Sequence, residues 1–119
     1  MLKVLLPLLI LIAAPTAFSA QSDSELYKKC SVSVSWSRNG EDAVVTVTVK
    51  NNTKTTLHDP VVRVAFFDAE GKELVADSKA YFKTVAARKS KRMEARIWSF
   101  VPEGAVKKAQ GSVVGGYFE

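Results

Sequence analysis

Nucleophilic and metal-dependent reactions need groups that this sequence carries only once. His58 is the single histidine and Cys30 the single cysteine of the 119 residues. A Ser-His-Asp or Cys-His device needs a base, and a zinc site needs three or four ligands. Only His58 could supply that base, and one histidine with one cysteine falls short of a zinc ligand set. We therefore interpret His58, which stands beside Asp59 and Pro60, as an ordinary loop histidine rather than a metal ligand or a catalytic base.

Paired carboxylates that could perform acid-base chemistry on a sugar occur around one turn, at Asp68, Glu70 and Glu73. A solvated turn in which Asp68 bonds its own backbone accounts for them more simply. The glycines of the tail lack the spacing of a phosphate-binding loop. The sequence therefore predicts no enzyme, no catalytic residue, no cofactor and no metal site.

A basic run, ARKSKRMEAR at residues 87–96, places five cations in ten positions with Glu94 as its single acid. Nucleic-acid binding needs aromatic platforms or a groove-sized helix near such cations, and neither is evident. An anionic protein or envelope component suits the run better, and a solvated loop without a ligand is the alternative. The candidate partner-binding residues are Arg88, Lys89, Lys91 and Arg92.

The first residues have the layout of a Sec signal peptide: Lys3, an apolar run over 4–14, then small residues. Ala17 and Ser19 supply small side chains at positions −3 and −1, so we expect cleavage after Ser19 and a signal peptide at 1–19. A retained membrane anchor is the alternative. The run is shorter than the ~20 apolar residues that a spanning helix needs, and Pro7 interrupts it.

The mature chain is long enough for one domain with a modest core. Without Lys3 it has 16 Lys and Arg against 12 Asp and Glu, a formal charge of +4. A lone cysteine excludes an internal disulfide, so Cys30 is buried, reactive or paired with another chain. Two preceding lysines favour a thiolate. Its alternation with Val32, Val34 and Trp36 favours a place in the core.

The mature sequence alternates apolar and polar residues in short segments, after a polar leader at 20–29. Asn39-Gly40 indicates a tight hairpin turn, and DAEG at 68–71 indicates another turn. We predict an all-β fold, an antiparallel immunoglobulin-like β-sandwich of about seven strands over 30–119. The basic run then reads as a hairpin connection between strands. The predicted strand segments are 30–38, 42–50, 61–67, 72–85 (long or interrupted), 93–101 and one or two in the tail.

Residues 49–78, VKNNTKTTLHDPVVRVAFFDAEGKELVADS, resemble the core of FxLYD-type domains of bacterial exported proteins. Asn51 or Asn52 matches the family's asparagine, residues 64–68 (VAFFD) match the naming motif, and Gly71 matches the turn glycine. The family's Pro-Gly-acid turn is replaced here by ARKS at 87–90. The resemblance spans about 44–100. It implies an immunoglobulin-like fold and, because the family shares no catalytic residues, no reaction.

These observations favour an exported, periplasmic or secreted, non-enzymatic interaction module that binds an anionic protein or envelope component. The sequence indicates no nucleic-acid partner and no membrane span after cleavage. A periplasmic inhibitor or immunity protein against a secreted enzyme is the alternative, since it would also be a small, basic, exported domain. A small hydrolase or metal carrier is disfavoured by the single histidine.

Overall fold

The computed structural model of the protein describes residues 23–119. The predicted signal peptide, its cleavage site and the start of the leader lie outside these residues. Within 23–119 no helix is long and apolar enough to cross a membrane. The elements are a short helix α1 (Asp23–Tyr27) and eight strands: β1 (Cys30–Asn39), β2 (Asp42–Asn51), β3 (Leu57–Phe67), β4 (Glu73–Ala80), β5 (Thr84–Val85), β6 (Ser90–Arg92), β7 (Arg96–Trp98) and β8 (Gln110–Phe118).

The strands form two antiparallel layers that are joined at one point. In the first layer β1 pairs with β2 along its whole length, and β6 and β7 pair with the other edge of β2. In the second, β3 lies between β8 on one side and β4 with β5 on the other. The layers meet where Val32 of β1 pairs with Gly111 of β8. The predicted all-β antiparallel sandwich is confirmed. The described residues form eight strands rather than about seven because two edge strands are interrupted, one as β4 and β5 and the other as β6 and β7.

The core lies between the two layers and follows the alternation of the sequence. Val45, Val47 and Val49 of β2 are fully buried, while the residues between them reach the other face. Trp36 of β1 meets Phe66 of β3 edge to face, with ring centroids 5.1 Å apart. Burying these apolar side chains is the main force that holds the layers together.

Both predicted turns are present. Asn39 pairs with Asp42 across a two-residue loop whose Gly40 has φ 66°, a value that favours glycine. In the second turn the Gly71 amide donates to the Asp68 carbonyl oxygen at 3.0 Å. The Asp68 carboxylate accepts the amides of Glu70 and Lys72, each at 2.9 Å. The carboxylate cluster therefore has the structural role that the sequence favoured.

The third strand starts earlier than predicted, at Leu57 rather than Val61. His58 is therefore a strand residue, and its interpretation as a loop histidine was wrong. Its backbone pairs with Tyr117, and the two rings stack with centroids 4.9 Å apart. Pro60 lies inside the strand at a register shift, where a proline's missing donor is tolerated.

The described part of the leader is not a free tether. Residues 23–27 form α1, which packs against β8. The Tyr27 hydroxyl donates to the Gly116 carbonyl oxygen at 2.6 Å, and its ring lies 5.6 Å from that of Phe118. Because five residues cannot sustain a helix alone in water, this packing is what stabilises α1.

The basic run is not a hairpin connection, which corrects the prediction. β5 pairs with β3 in the second layer, whereas β6 pairs with β2 in the first. Residues 86–89 therefore cross between the layers, and Ser90–Arg92 form a strand at the sheet edge. The strand is interrupted at 93–95 and continues as β7. In an unbroken strand Met93 and Trp98 would point to opposite faces of the sheet, but because of the interruption both side chains are buried.

Candidate functional site

The loop after β2 is organised by the side chain of Asn51, which is fully buried. Its amide nitrogen donates to the carbonyl oxygens of Thr55 at 2.9 Å and Val85 at 3.0 Å. Its amide oxygen accepts the Thr53 amide at 3.0 Å and the Thr53 hydroxyl at 2.7 Å. A buried amide with these bonds satisfied holds its neighbours in place. The loop is therefore tied both to itself and to β5.

A basic cleft of about 260 Å³ opens beside this loop. It carries three cations from three separate segments: Lys29 after α1, Lys54 in the loop and Arg88 in the crossing between layers. Converging charges of one sign raise the local potential above that of the whole molecule. The lining residues are Leu26, Lys29, Asn52, Thr53, Lys54, Thr55 and Arg88.

Among the described residues, the cations of the basic cleft take part in no ion pair. The four ion pairs found within residues 23–119 join Lys28 with Glu25, Arg63 with Glu73, Lys79 with Asp77 and Arg96 with Glu94. None of them includes Lys29, Lys54 or Arg88. The charge of the basic cleft is therefore available to a ligand.

Arg88 is held over the cleft by a strained turn. The Lys89 amide donates to the Ala86 carbonyl oxygen at 3.1 Å, and Arg88, third in this turn, has φ 65°. A left-handed conformation costs a non-glycine residue about 1–2 kcal/mol. One guanidinium nitrogen donates to the Asn52 carbonyl oxygen at 2.8 Å. The guanidinium has further donors for an oxyanion.

The four cations predicted from the sequence do not share one site. Arg88 lines the basic cleft. Lys89, just before β6, and Lys91 and Arg92 within it are here called the basic edge. Lys91 pairs with Val49 and Arg92 with Thr48. Paired residues of an antiparallel ladder share a face, so Arg92 lies on the outer face with Thr48. A shallow depression of about 280 Å³ there includes Arg92 and the side chains of Ser33 and Thr46.

Sequence reasoning missed Lys29 and Lys54 as members of the site. The position of Lys29 could have been predicted from the sequence. A two-residue turn after Asn39 pairs Cys30 with Asn51, which places Lys29 next to Asn52 just beyond the paired ends. Arg88 reaches this point because residues 86–89 cross between the layers. No local sequence pattern predicts that crossing.

Cys30 is a core residue, as its alternation with Trp36 favoured. It is 9% exposed, and its sulfur lies 3.7 Å from the Leu26 carbonyl oxygen and 3.8 Å from the Asn51 amide oxygen. Burial raises the pKa of the thiol, against a smaller lowering by a hydrogen bond with the Asn52 backbone. A raised pKa disfavours the thiolate that nucleophilic reactivity requires.

The remaining candidate chemistry finds no assembled site in residues 23–119, where no group of three or more His, Cys, Asp and Glu is placed to hold a metal ion. His58 lies 3.5 Å from the Thr84 hydroxyl and stacks on Tyr117. The sequence matches a glycosylation acceptor at Asn51-Asn52-Thr53, but the Asn51 amide is buried and bonded within the loop. The Asn51 side chain therefore has a structural role in this turn.

No family model and no curated protein matches the chain. Among solved structures the chain is similar to the X-ray structure of Northeast Structural Genomics Consortium target SoR45, at 13% sequence identity and a TM-score of 0.40. The match covers 78% of this chain and 87% of that chain. A similarity of this size carries no argument about function, which must come from the site itself.

Proposed function

We propose that the protein is an exported, non-enzymatic interaction module that binds an anionic protein or envelope component. The observation that carries the proposal is the convergence of Lys29, Lys54 and Arg88 on the basic cleft without an acidic partner in the described chain. Export rests on the signal-peptide pattern of residues 1–19.

The chemistry of the cleft favours carboxylate or phosphate groups. A guanidinium offers paired donors that match the two oxygens of either group. The two lysines add mobile point charges, and each brings long methylene groups that can follow the shape of a partner. The loop that Asn51 holds is ordered before binding, so less conformational entropy is lost on association.

The basic edge has a second physical role that the basic cleft does not share. Lysine and other charged residues on an edge strand oppose pairing with further strands and so limit aggregation. Substituting Lys89, Lys91 and Arg92 would therefore change solubility as well as binding. The cleft residues are the sharper test, because they lie off the edge strand.

The test is capture of partners from an envelope extract by photo-crosslinking with two variants of equal charge and wild type. The first is wild type with three remote exposed lysines removed (Lys72→Ser, Lys83→Ser, Lys108→Ser). The second lacks the cleft cations (Lys29→Ser, Lys54→Ser, Arg88→Gly). The third is unchanged wild type as reference. Glycine at position 88 suits the positive φ there, so the cleft variant should remain folded by thermal unfolding.

We expect the cleft variant to lose the partner and the remote variant to retain most of it. Capture by wild type should fade as salt approaches 1 M, where the Debye length is about 3 Å. Equal capture by the cleft and remote variants would refute the proposal. Capture of a single secreted enzyme whose activity falls on binding would move the assignment to an inhibitor or immunity protein.

A further inference from the structure

An exposed phenylalanine lies at the end of the first layer that is remote from the basic cleft. Phe100 is 74% exposed and has φ 57°. A positive φ is uncommon for any residue other than glycine, and for a bulky side chain it is a true outlier. Strain of this kind persists only where the surroundings impose it, and it concentrates at functional sites.

The backbone on both sides of Phe100 is fixed. Its own amide donates to the Asp42 carboxylate at 3.2 Å. The next amide, of Val101, donates to the Glu41 carbonyl oxygen at 2.8 Å. The Val101 carbonyl oxygen accepts the Arg38 guanidinium at 2.9 Å. These bonds hold the ring away from the core, where glycine or asparagine would satisfy the same backbone with less strain.

A cleft of about 270 Å³, here called the Phe100 cleft, lies beside this ring. Its two carboxylates, of Glu41 and Glu103, are exposed and take part in none of the ion pairs found in residues 23–119. Arg38, the one cation among the described residues that line it, donates to backbone carbonyl oxygens. The lining residues are Arg38, Gly40, Glu41, Phe100, Val101, Pro102 and Glu103.

We propose that the Phe100 cleft is a docking site for a basic segment of a partner protein, with a lysine or arginine side chain against the Phe100 ring. A cation is attracted to the face of an aromatic ring, and Glu41 and Glu103 supply the complementary charge. Aromatic residues, phenylalanine among them, are also enriched at the cores of protein–protein interfaces.

This site is separate from the basic cleft in place and in sign. β1 and β2 are ten residues long, and the two clefts flank their opposite ends. At about 3.3 Å per residue the sites are roughly 30 Å apart. The molecule can therefore contact a cationic partner at one end and an anionic partner at the other. Docking at the Phe100 cleft does not depend on binding at the basic cleft.

The experiment titrates the ¹⁵N-labelled exported protein with an end-blocked tetralysine peptide, with tetraglutamate as the charge-reversed probe. We expect saturable amide shifts at Gly40, Glu41, Phe100 and Glu103 with tetralysine only. Phe100→Gly should weaken tetralysine binding by roughly threefold or more, the size of an exposed cation–π contact. Phe100→Asn, which also accepts a positive φ, should behave alike. Phe82→Gly is the matched control, because Phe82 is 81% exposed outside this cleft.

Three results would overturn the proposal. One is tetralysine binding that Phe100→Gly leaves unchanged. Another is shifts spread equally over the acidic turn at 68–73, which would indicate unspecific attraction between charges. The third is concentration-dependent self-association in sedimentation that both Phe100→Gly and Lys54→Ser abolish. That result would show the occupant to be the basic cleft of a second copy instead of another protein.

Discussion

At the residue scale, the amide of Asn51 links the parts of the molecule that form the basic cleft. It joins the loop after β2 to β5 through bonds to Thr55 and Val85. Those two bonds use the amide nitrogen, and the Cys30 sulfur lies 3.8 Å from the amide oxygen.

Asn51→Ala should lower the free energy of unfolding by about 2–4 kcal/mol, because the carbonyl oxygens of Thr55 and Val85 and the Thr53 amide lose a buried partner. Urea unfolding measures this change. Asn52→Ala is the control, since the contact of Asn52 with Arg88 uses the backbone, and it should cost less than about 0.5 kcal/mol. Equal losses in the two variants would contradict the assigned role of Asn51.

Cys30→Ala tests the core role of the thiol. We expect a loss on the order of 1–2 kcal/mol at pH 7 from the small cavity. The folded pKa lies above the ordinary value of 9.0 because of burial. The contribution of the neutral thiol is therefore complete below pH 9.0 and is lost as pH rises through the folded pKa.

Unfolding by urea at pH 7 and pH 10 should show a smaller difference between wild type and Cys30→Ala at the higher pH. The pKa values of Tyr27 and Tyr81 are also raised, mainly by burial. Both tyrosines are present in both proteins, so their contributions cancel in the difference between wild type and variant. A difference that is the same at both pH values, or rapid modification of the native thiol by a polar reagent, would show that Cys30 is exposed.

At the scale of elements, β8 depends on a glycine where it passes the irregular part of β3. Gly116 has φ 113°, and a Cβ there would lie 2.8 Å from the His58 carbonyl oxygen. Backbone atoms cannot move aside cheaply. The Gly116 carbonyl oxygen also accepts the Tyr27 hydroxyl, so the position of α1 depends on the same residue.

Gly116→Ala should therefore lower the free energy of unfolding by roughly 2–4 kcal/mol, from backbone strain together with overpacking. Chemical denaturation provides the measurement. Gly104→Ala is the control, because a Cβ at Gly104 meets nothing within 4 Å. If Gly116→Ala were as stable as Gly104→Ala, the path of β8 past His58 would have to differ from the one described.

The edges of the two layers also cover one another. Arg96 of β7 donates to the Ala80 carbonyl oxygen of β4 at 2.9 Å, and the Trp98 indole donates to that of Asp77 at 3.3 Å. Lys79 lies 5.0 Å from the centre of the Trp98 ring. These side chains occupy backbone acceptors at the β4 edge, which would otherwise be open to strand addition.

At the scale of the whole molecule, the basic cleft lies at one end of the sandwich and the Phe100 cleft, with Glu41 and Glu103, at the other. The net charge of +5 for the full sequence hides this division. A molecule arranged in this way orients in the field of a charged surface before contact. Substitutions at one end should consequently leave binding at the other end unchanged.

The exported protein should begin at Ala20, because Ala17 and Ser19 fit the small-residue positions of the signal peptidase. N-terminal sequencing of protein recovered after export decides this. An intact Met1 in the membrane fraction would instead support the retained anchor. Cleavage after Ala20 would require Phe18 at position −3, where a small side chain is needed.

Features that depend on neighbours in sequence could be read without the structure. The Asn39-Gly40 turn, the Asp68 turn and the shared face of Cys30 and Trp36 all follow from local alternation and turn chemistry. Even the position of Lys29 beside Asn52 follows once the turn sets the register of β1 and β2. Such features need no knowledge of distant segments.

Tertiary structure alone decided where distant segments meet. His58 lies in a strand because Tyr117 and Thr84 pair with it from other parts of the chain. Arg88 reaches Lys29 and Lys54 because residues 86–89 cross between layers, and Phe100 is strained because bonds from the β1–β2 hairpin fix its backbone. α1 forms only against β8. In each case the stabilising contact joins residues far apart in sequence, so short-range periodicity cannot predict it.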